Sequence, residues 1–225
     1  MTEPPIRVVA AADADRFVAT DHTVWFDEVP DAGADEQLLG LPDGQRFAAE
    51  VDGADPDSYP GIYGVFTLTL SVPGSAGSSR SVACPGLTWV GVHPDHRRKG
   101  VLTAMIRDHF ERVRKEDGAH VSALHASEPA IYGRYGYGMA SAELHVTLGR
   151  GTRLTAPHLE ELVARTTTQL TSAAVPDVSK RMRECHLAQA ELGSVVGDAG
   201  YYARICLERP DQLRDKEPRR VLFAR

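Results

Sequence analysis

The feature that most constrains the fold is one segment, residues 89–102, in which a strand pattern changes to a helix pattern across a basic loop. Its sequence is Trp-Val-Gly-Val-His-Pro-Asp-His-Arg-Arg-Lys-Gly-Val-Leu. Pro94 ends the strand because proline cannot donate a hydrogen bond to a sheet ladder. From Val101 the apolar residues recur at helical spacing, and Gly118 suits the end of that helix. The segment therefore predicts an α/β fold.

The residues before this segment predict mostly strands. Residues 62–72 alternate with period two and predict one long strand, which the flexible loop at 73–80 joins to a second long strand at 82–92. The earlier elements are expected, in chain order, to be a strand at 6–10, a helix at 14–25, a short helix near Gln37 and a strand at 46–51.

The residues after the segment complete one α/β domain at 1–150, with mixed strands and helices. The expected elements are a short strand at 121–125, a short helix at 128–136 and a closing strand at 141–148. A second unit at 151–225 is expected to be mostly helical, with helices at 159–170, 177–191 and 201–207 and a strand from 221 to 224. Because that unit stops on its first strand, we expect it to be incomplete and the chain to be a fragment.

Composition excludes several classes of protein. A hydrophobic content of 42% and a charged content of 25% are those of a globular protein, and disorder is excluded. The net charge of −6 argues against nucleic acid as a partner. No apolar run approaches the roughly 20 residues that span a membrane, and the N-terminus lacks a signal-peptide pattern. Three cysteines without a CxxC pair argue against disulfides. We expect a reduced, cytoplasmic protein.

The basic loop has the properties of an anion site. Free backbone N–H groups at a helix N-terminus and the helix dipole attract phosphate. Gly100 would let the backbone approach a phosphate closely, and three consecutive cations precede it, namely Arg97, Arg98 and Lys99. The sequence has neither a GxxxxGK[ST] motif nor a GxGxxG after the strand, which excludes the P-loop and Rossmann alternatives. A solvated basic loop remains the alternative interpretation.

The pattern Val90-x-Val92-x-Pro94-x-x-Arg97-Arg98-x-Gly100-x-Leu102 resembles the acetyl-CoA loop of the GNAT acetyltransferase superfamily, although Gly or Ala is commoner where Leu102 stands. Together with Ala-Ser-Glu at 126–128 and Ile-Tyr-Gly-Arg-Tyr-Gly-Tyr-Gly at 131–138, it is similar to the N-terminal portion of the Eis (enhanced intracellular survival) family. The resemblance covers residues 1–150, and more weakly 198–209 and 218–225. It implies a GNAT fold, a central twisted mixed sheet flanked by helices, followed by the start of a second GNAT-like unit.

The resemblance implies an N-acetyltransferase that uses acetyl-CoA as acyl donor and needs no metal. The acceptor would be a primary amine of an aminoglycoside, a polyamine or a lysine side chain, which attacks directly in a ternary complex. A catalytically silent acyl-CoA-binding domain with an assembly or regulatory role is the alternative. The family forms a homo-oligomeric ring through later domains, and its general base is the terminal carboxylate of the last domain. If the chain is complete, that base is missing or replaced, for instance by Glu28 or a water chain.

The resemblance also implies roles for single residues. Tyr132 stands at the position of the general acid, and a phenol with a pKa of about 10 is protonated at neutral pH. The alternative is a packing role, which we expect for Tyr135 and Tyr137. The implied cofactor residues lie on the strand, the loop and the later Ala-Ser-Glu segment: Val90, Gly91, Val92, Arg97, Arg98, Lys99, Gly100, Val101, Leu102, Thr103, Ser127 and Glu128.

An acidic segment after the first helix is the expected acceptor site. Trp25, Asp27 and Glu28 lie where GNAT enzymes line the acceptor pocket, and carboxylates there would attract a cationic amine. The alternative is that these are exposed carboxylates beside a helix end. His93 and His96 do not predict a metal site, because Pro94 lies between them and no third ligand is evident.

Overall fold

The computed structural model describes residues 5–28, 33–38, 40–75, 78–116, 118–142, 151, 166–171, 173–206 and 220–223. A five-stranded mixed sheet forms the centre of the fold. Its strands are β1 (Arg7–Ala10), β2 (Arg46–Glu50), β3 (Gly61–Phe66), β6 (Gly86–Val92) and β7 (Ala123–Leu124), in the order β1-β2-β3-β6-β7. All neighbours are antiparallel except β6 and β7, which are parallel.

The helices predicted at 14–25 and from Val101 cover opposite faces of this sheet. Asp13 caps the N-terminus of helix α1 (Ala14–Trp25), and its side chain accepts a hydrogen bond from the Arg16 N–H at 2.9 Å. Phe17 of this helix packs with Ile62, while α3 (Val101–Glu116) packs Met105 against Tyr63. Ile62 and Tyr63 are consecutive in β3, so the strand alternation divides the apolar residues between two core layers. A short helix, α2 (Ala34–Gln37), follows α1.

The two long strands predicted at 62–72 and 82–92 are each divided, which corrects the sequence prediction. The first is divided at Thr67 into β3 and β4 (Leu68–Pro73), and the second at Cys84 and Pro85 into β5 (Ser79–Ala83) and β6. Pro85 has no N–H to donate, so the ladder is interrupted there. Strands β4 and β5 form a hairpin of a separate sheet. Alternation continues across both breaks and therefore did not reveal them.

The segment after α3 is less regular than predicted. The predicted strand at 121–125 shortens to β7, and the predicted helix at 128–136 is two 3₁₀ turns, Pro129–Ile131 and Gly133–Tyr135. Gly136, with φ +94°, ends the second turn in a conformation that no α-helix continues. Of the predicted strand at 141–148, residues 141 and 142 are not in a strand, and the rest lies outside the described residues.

The C-terminal residues contain three strands and two helices in their described part. Helices α4 (Val175–Ala188) and α5 (Ala199–Cys206) match two predicted helices, and β10 (Arg220–Phe223) matches the predicted terminal strand. A helix predicted at 159–170 is wrong at β8 (Thr166–Gln169), which pairs with β10, because three consecutive threonines favour extended backbone. Residues 159–165 lie outside the described part.

Strand β9 (Val195–Gly197) pairs with β4 and so extends the second sheet to the order β5-β4-β9. This pairing attaches the C-terminal residues to the first 150. The predicted boundary at residue 150 stays a prediction, since residues 143–150 lie outside the described residues. No helix in the described part of the chain combines the length and the apolar character needed to cross a membrane.

Candidate active site

An open cleft of about 2040 Å³ lies where β6 and β7 diverge. The two strands pair only at Gly86 with Ala123 and at Leu87 with Leu124. Beyond those pairs the cleft separates β6 from the chain that follows β7. The end of α1, the basic loop and the start of α3 form its other walls. The cleft therefore contains most of the segment that the sequence singled out.

A bulge in β6 faces this cleft. Trp89 has φ +52°, a conformation that non-glycine residues rarely adopt, and the β3–β6 register shifts between Ile62 and Gly64. Such bulges redirect backbone groups and bend the strand. On the side opposite β3, the edge of residues 88–92 has no strand partner in the described chain. An edge of this kind can pair with an extended ligand.

The basic loop is a tight turn with two left-handed residues. After a 3₁₀ turn at Pro94–His96, Arg98 has φ +65° and Gly100 has φ +84°. When residues in left-handed and other backbone conformations alternate, successive N–H groups point toward the same side. They then form a concave anion-binding site. A Cβ on Gly100 would meet only Ile6 Cδ1, at 3.8 Å, so the positive φ is what requires glycine there. The first turn of α3 carries no acidic side chain to neutralise its N-terminus.

The structure brings nearly all predicted cofactor residues to the cleft. Lys99 is the exception, since it is exposed and does not line the cleft. Those that line it are Val90, Gly91, Val92, Arg97, Arg98, Gly100, Val101, Leu102, Thr103, Ser127 and Glu128.

Tyr132 lies between the two 3₁₀ turns and also lines the cleft. Burial raises the pKa of its phenol, and the neighbouring Glu128 and Tyr135 raise it further. The phenol is therefore protonated at neutral pH. Tyr135 and Tyr137 hold the segment in place, as their packing role predicts. The Tyr135 hydroxyl is 3.0 Å from Thr103 Oγ1, and the Tyr137 ring stacks edge-on to Tyr132 with centroids 6.0 Å apart.

The end of α1 forms the opposite wall. Trp25 and Asp27 line the cleft, whereas Glu28 is exposed and does not. Sequence analysis missed Phe26, which also lines the cleft, is 78% exposed and ends the helix with φ +57°. The exposure and the left-handed conformation of Phe26 depend on where the helix ends, so they could not be predicted before that end was known.

Sequence analysis also missed Asp21 and Arg204. Asp21 lies on α1 inside the cleft, and burial raises its pKa to about 6; the charge of Asp27 raises it too, whereas Arg204 lowers it. Arg204 comes from α5, and its guanidinium lies 4.6 Å from the Trp89 ring centroid. Helical spacing places Asp21 on the apolar face of α1, which was a usable signal. Nothing in the sequence pointed to Arg204.

Metal-ligand geometry is not found in the described residues, where no three His, Cys, Asp or Glu side chains cluster. The rings of His93 and His96 lie 6.0 Å apart. His93 Nδ1 instead accepts the Asp95 backbone N–H at 3.3 Å.

Comparison with known proteins agrees with this architecture. The family model "Acetyltransferase (GNAT) domain" matches residues 5–140. The chain is 36% identical to the N-acetyltransferase Eis of Mycobacterium tuberculosis over 148 residues, which are 65% of this chain and 33% of Eis. It is 42% identical to an uncharacterized N-acetyltransferase of Streptomyces avermitilis over 132 residues, 55% of this chain and 30% of that protein.

Among solved structures, Eis1 from Mycobacterium abscessus superposes with a TM-score of 0.58 and 25% identity, over 88% of this chain and 46% of Eis1. The matched part of the chain spans about a third of the length of these two curated relatives. The splayed parallel strands, the bulge and the basic turn before α3 all lie within the matched residues 5–140. The chain has an Eis-like GNAT fold and belongs to the GNAT acetyltransferase family.

Proposed function

We propose that the chain is an acetyl-CoA-dependent N-acetyltransferase acting on primary amines. The observation that carries this proposal is the convergence of three features in one cleft: the basic turn at 97–103, the bulged strand at Trp89 and the phenol of Tyr132. The amine would belong to an aminoglycoside, a polyamine or a lysine side chain. Residues 1–150 would form the catalytic domain, and 151–225 the start of a second GNAT-like unit.

The turn would hold the diphosphate of coenzyme A. Backbone N–H groups between Arg98 and Thr103 supply hydrogen-bond donors, and the left-handed Arg98 and Gly100 orient them. The exposed guanidinium groups of Arg97 and Arg98 add positive charge at the cleft edge. A protein with net charge −6 thereby presents a local cationic site to a polyanion.

The free edge of β6 would hold the pantetheine arm and the thioester. An extended amide chain can pair with backbone groups of Val90–Val92 as an added strand would. Backbone N–H groups at the bulge would stabilise negative charge on the thioester carbonyl oxygen during attack. Donors fixed in a strand need no reorganisation when that charge develops, so they lower the barrier rather than only tighten binding.

Tyr132 would protonate the departing thiolate. Its phenol stays protonated at neutral pH because burial raises its pKa, and a phenol and a thiol are close enough in acidity for proton transfer. The amine would enter from the opposite wall, where Trp25, Phe26 and Asp27 line the cleft. Aromatic faces and a carboxylate both attract an ammonium group. Direct attack in a ternary complex fits these two opposed walls.

Release of free thiol from acetyl-CoA in the presence of spermine, kanamycin or a lysine-containing peptide tests the proposal. The expected result is saturable thiol release that depends on at least one amine, with coenzyme A bound when measured by calorimetry. Coenzyme A binding without thiol release above background for any amine would contradict the enzyme and support the silent acyl-CoA-binding domain.

A further inference from the structure

Helix α1 carries one carboxylate on the face that packs against the bulge of β6. Phe17 packs on the Trp89 ring at a centroid distance of 5.7 Å. Val24 packs on Gly91, where a Cβ would lie 3.1 Å from either Val24 Cγ atom. Asp21 lies four residues after Phe17 and three before Val24, so it is on the same face of the helix. Its side chain therefore faces the strand between Trp89 and Gly91.

Asp21 is partly shielded from solvent and has charged neighbours. Asp21 is half-buried and lines the cleft. The Trp25 side chain, four residues later on the same helix, lowers the Asp21 pKa slightly. His22 and Asp27 act on it from its own helix and the adjoining residues, and Arg204 acts on it from α5. The facing segment of β6, residues 88–92, carries no titratable side chain.

We propose that Asp21 is the catalytic base that takes the proton from the acceptor ammonium group. This inference rests on the proposed acetyltransferase function. It assigns the base to a residue of this chain, whereas the resemblance alone implies the terminal carboxylate of a later domain. The carboxylate lies beside the stretch of β6 along which the thioester would lie, so one amine nitrogen could contact Asp21 and face the thioester carbon. Glu28, the base considered from the sequence, is exposed and outside the cleft lining.

The protons balance in this scheme. An ammonium group gives one proton to the Asp21 carboxylate, which frees the nitrogen lone pair for attack on the carbonyl carbon. The C–N bond then forms and the C–S bond breaks, with its electron pair leaving on sulfur. Nitrogen then loses a second proton, which passes through water in the open cleft to the phenolate that Tyr132 became when it protonated the thiolate. Asp21 returns its proton to water through the open cleft.

The electrostatics of the cleft suit this role. Burial raises the pKa of Asp21 to about 6, which makes it a stronger base than an ordinary aspartate while it remains mostly ionised at pH 7 to 8. General bases work best with a pKa near the working pH. The positive charge of Arg204 lowers the pKa of Asp21, so Arg204 acts as a positioning residue that keeps the base ionised.

The pH dependence of kcat/KM for Asp21→Asn, measured by thiol release, tests the inference. The wild type is expected to lose activity below pH 6 with one acidic limb. Asp21→Asn should lower kcat/KM about 100-fold or more at pH 7 and lack that limb. Its deficit should shrink to about tenfold at pH 10, where a large fraction of the amine is already neutral. A merely structural defect would leave the deficit independent of pH.

Matched variants complete the test. Asp15→Asn removes an exposed carboxylate from the first turn of the same helix and should keep the wild-type profile. Arg204→Met should move the acidic limb to higher pH, because the charge that lowers the Asp21 pKa is gone. Calorimetry with coenzyme A, expected to give wild-type affinity for Asp21→Asn, establishes that this variant is folded.

Two outcomes would overturn the inference, and they are distinguishable. An active wild type whose acidic limb persists in Asp21→Asn, or disappears instead in Glu28→Gln, would remove Asp21 as the base and leave the proposed function intact. A wild type that binds coenzyme A but releases no thiol with any amine would overturn the proposed function and the base together.

Discussion

At the scale of single residues, the groups proposed to bind charge and the groups proposed to exchange protons differ in burial. Arg97 and Arg98 are exposed at the basic turn, where the charge of each guanidinium is fully solvated before a ligand arrives. Asp21 and Tyr132 are half-buried, and burial raises the pKa of both because it disfavours their charged forms. In the proposed mechanism this difference in burial, more than the residue types, separates the end that binds phosphate from the end that transfers protons.

Tyr132→Phe should lower kcat about 100-fold and leave coenzyme A affinity within twofold, because only the donated proton is removed. Steady-state kinetics and calorimetry measure the two effects. Tyr137→Phe is the matched control on the same segment: its hydroxyl lies 3.0 Å from Ser122 Oγ, outside the cleft lining. It should lose about 1 kcal/mol of stability with nearly normal kcat. Equal kcat in wild type and Tyr132→Phe would remove Tyr132 as the acid.

Asp21 should also make stability depend on pH. Its pKa is about 6 in the folded chain against 3.8 for an ordinary aspartate, so the folded state binds more protons between these values. Stability from this group is complete below pH 4 and is lost as pH rises through 6. Asp21→Asn, which cannot ionise, should therefore raise Tm at pH 7.5 by more than at pH 4.5. Thermal unfolding measures this, and a gain that is equal at both pH values would contradict it.

At the scale of elements, the turn between β6 and α3 requires left-handed backbone conformations. Gly100→Ala should cost about 1 to 2 kcal/mol of stability, because an L-residue at φ +84° is strained, and should weaken coenzyme A binding about tenfold. Denaturant unfolding and calorimetry measure these effects. Gly33→Ala is the control, since Gly33 does not have a positive φ and a Cβ added there would meet no atom within 4 Å. If both variants bind coenzyme A equally, the turn does not depend on Gly100.

Most elements of the first 140 residues follow from local sequence. The apolar spacing from Val101, the proline at 94 and the glycine at 118 place α3 correctly, and the helix predicted at 14–25 matches α1. The breaks at Thr67 and Pro85 were not predictable from alternation, because a strand that changes sheets keeps its period. The strand at Thr166–Gln169 was missed because its pairing partner, Arg220–Phe223, lies about fifty residues away.

At the scale of the whole molecule, the C-terminal residues complete one wall of the cleft. β9 adds to the sheet of β4 and β5, and α5 carries Arg204 to the Trp89 ring. Arg204 Nη1 also donates to the Gln37 carbonyl at 2.6 Å. The motif between residues 90 and 102 predicted residues that the structure brings together at one end of the cleft. Asp21 and Arg204 were missed because their position in the cleft arises from contacts between distant segments that carry no motif.

Alanine substitutions at Gly40 and Gly44 distinguish the stability cost of backbone strain from the cost of disrupting the packing of α5. Both glycines have positive φ, at +80° and +82°, but a Cβ on Gly40 would lie too close to the Gly200 carbonyl, whereas one on Gly44 meets nothing within 4 Å. Gly44→Ala should cost about 1 kcal/mol. Gly40→Ala should cost at least twice that and expose α5 to limited proteolysis. Equal stability and equal cleavage in the two variants would show that α5 does not pack there.

The central claim is that backbone amides of residues 98–103, with the guanidinium groups of Arg97 and Arg98, bind the diphosphate of coenzyme A. A crystal structure of the chain with acetyl-CoA tests it most directly. We expect electron density for the diphosphate within hydrogen-bond distance of those amides. We expect the thioester to lie beside residues 90–92. A diphosphate bound elsewhere, or an empty turn at saturating acetyl-CoA, would contradict it.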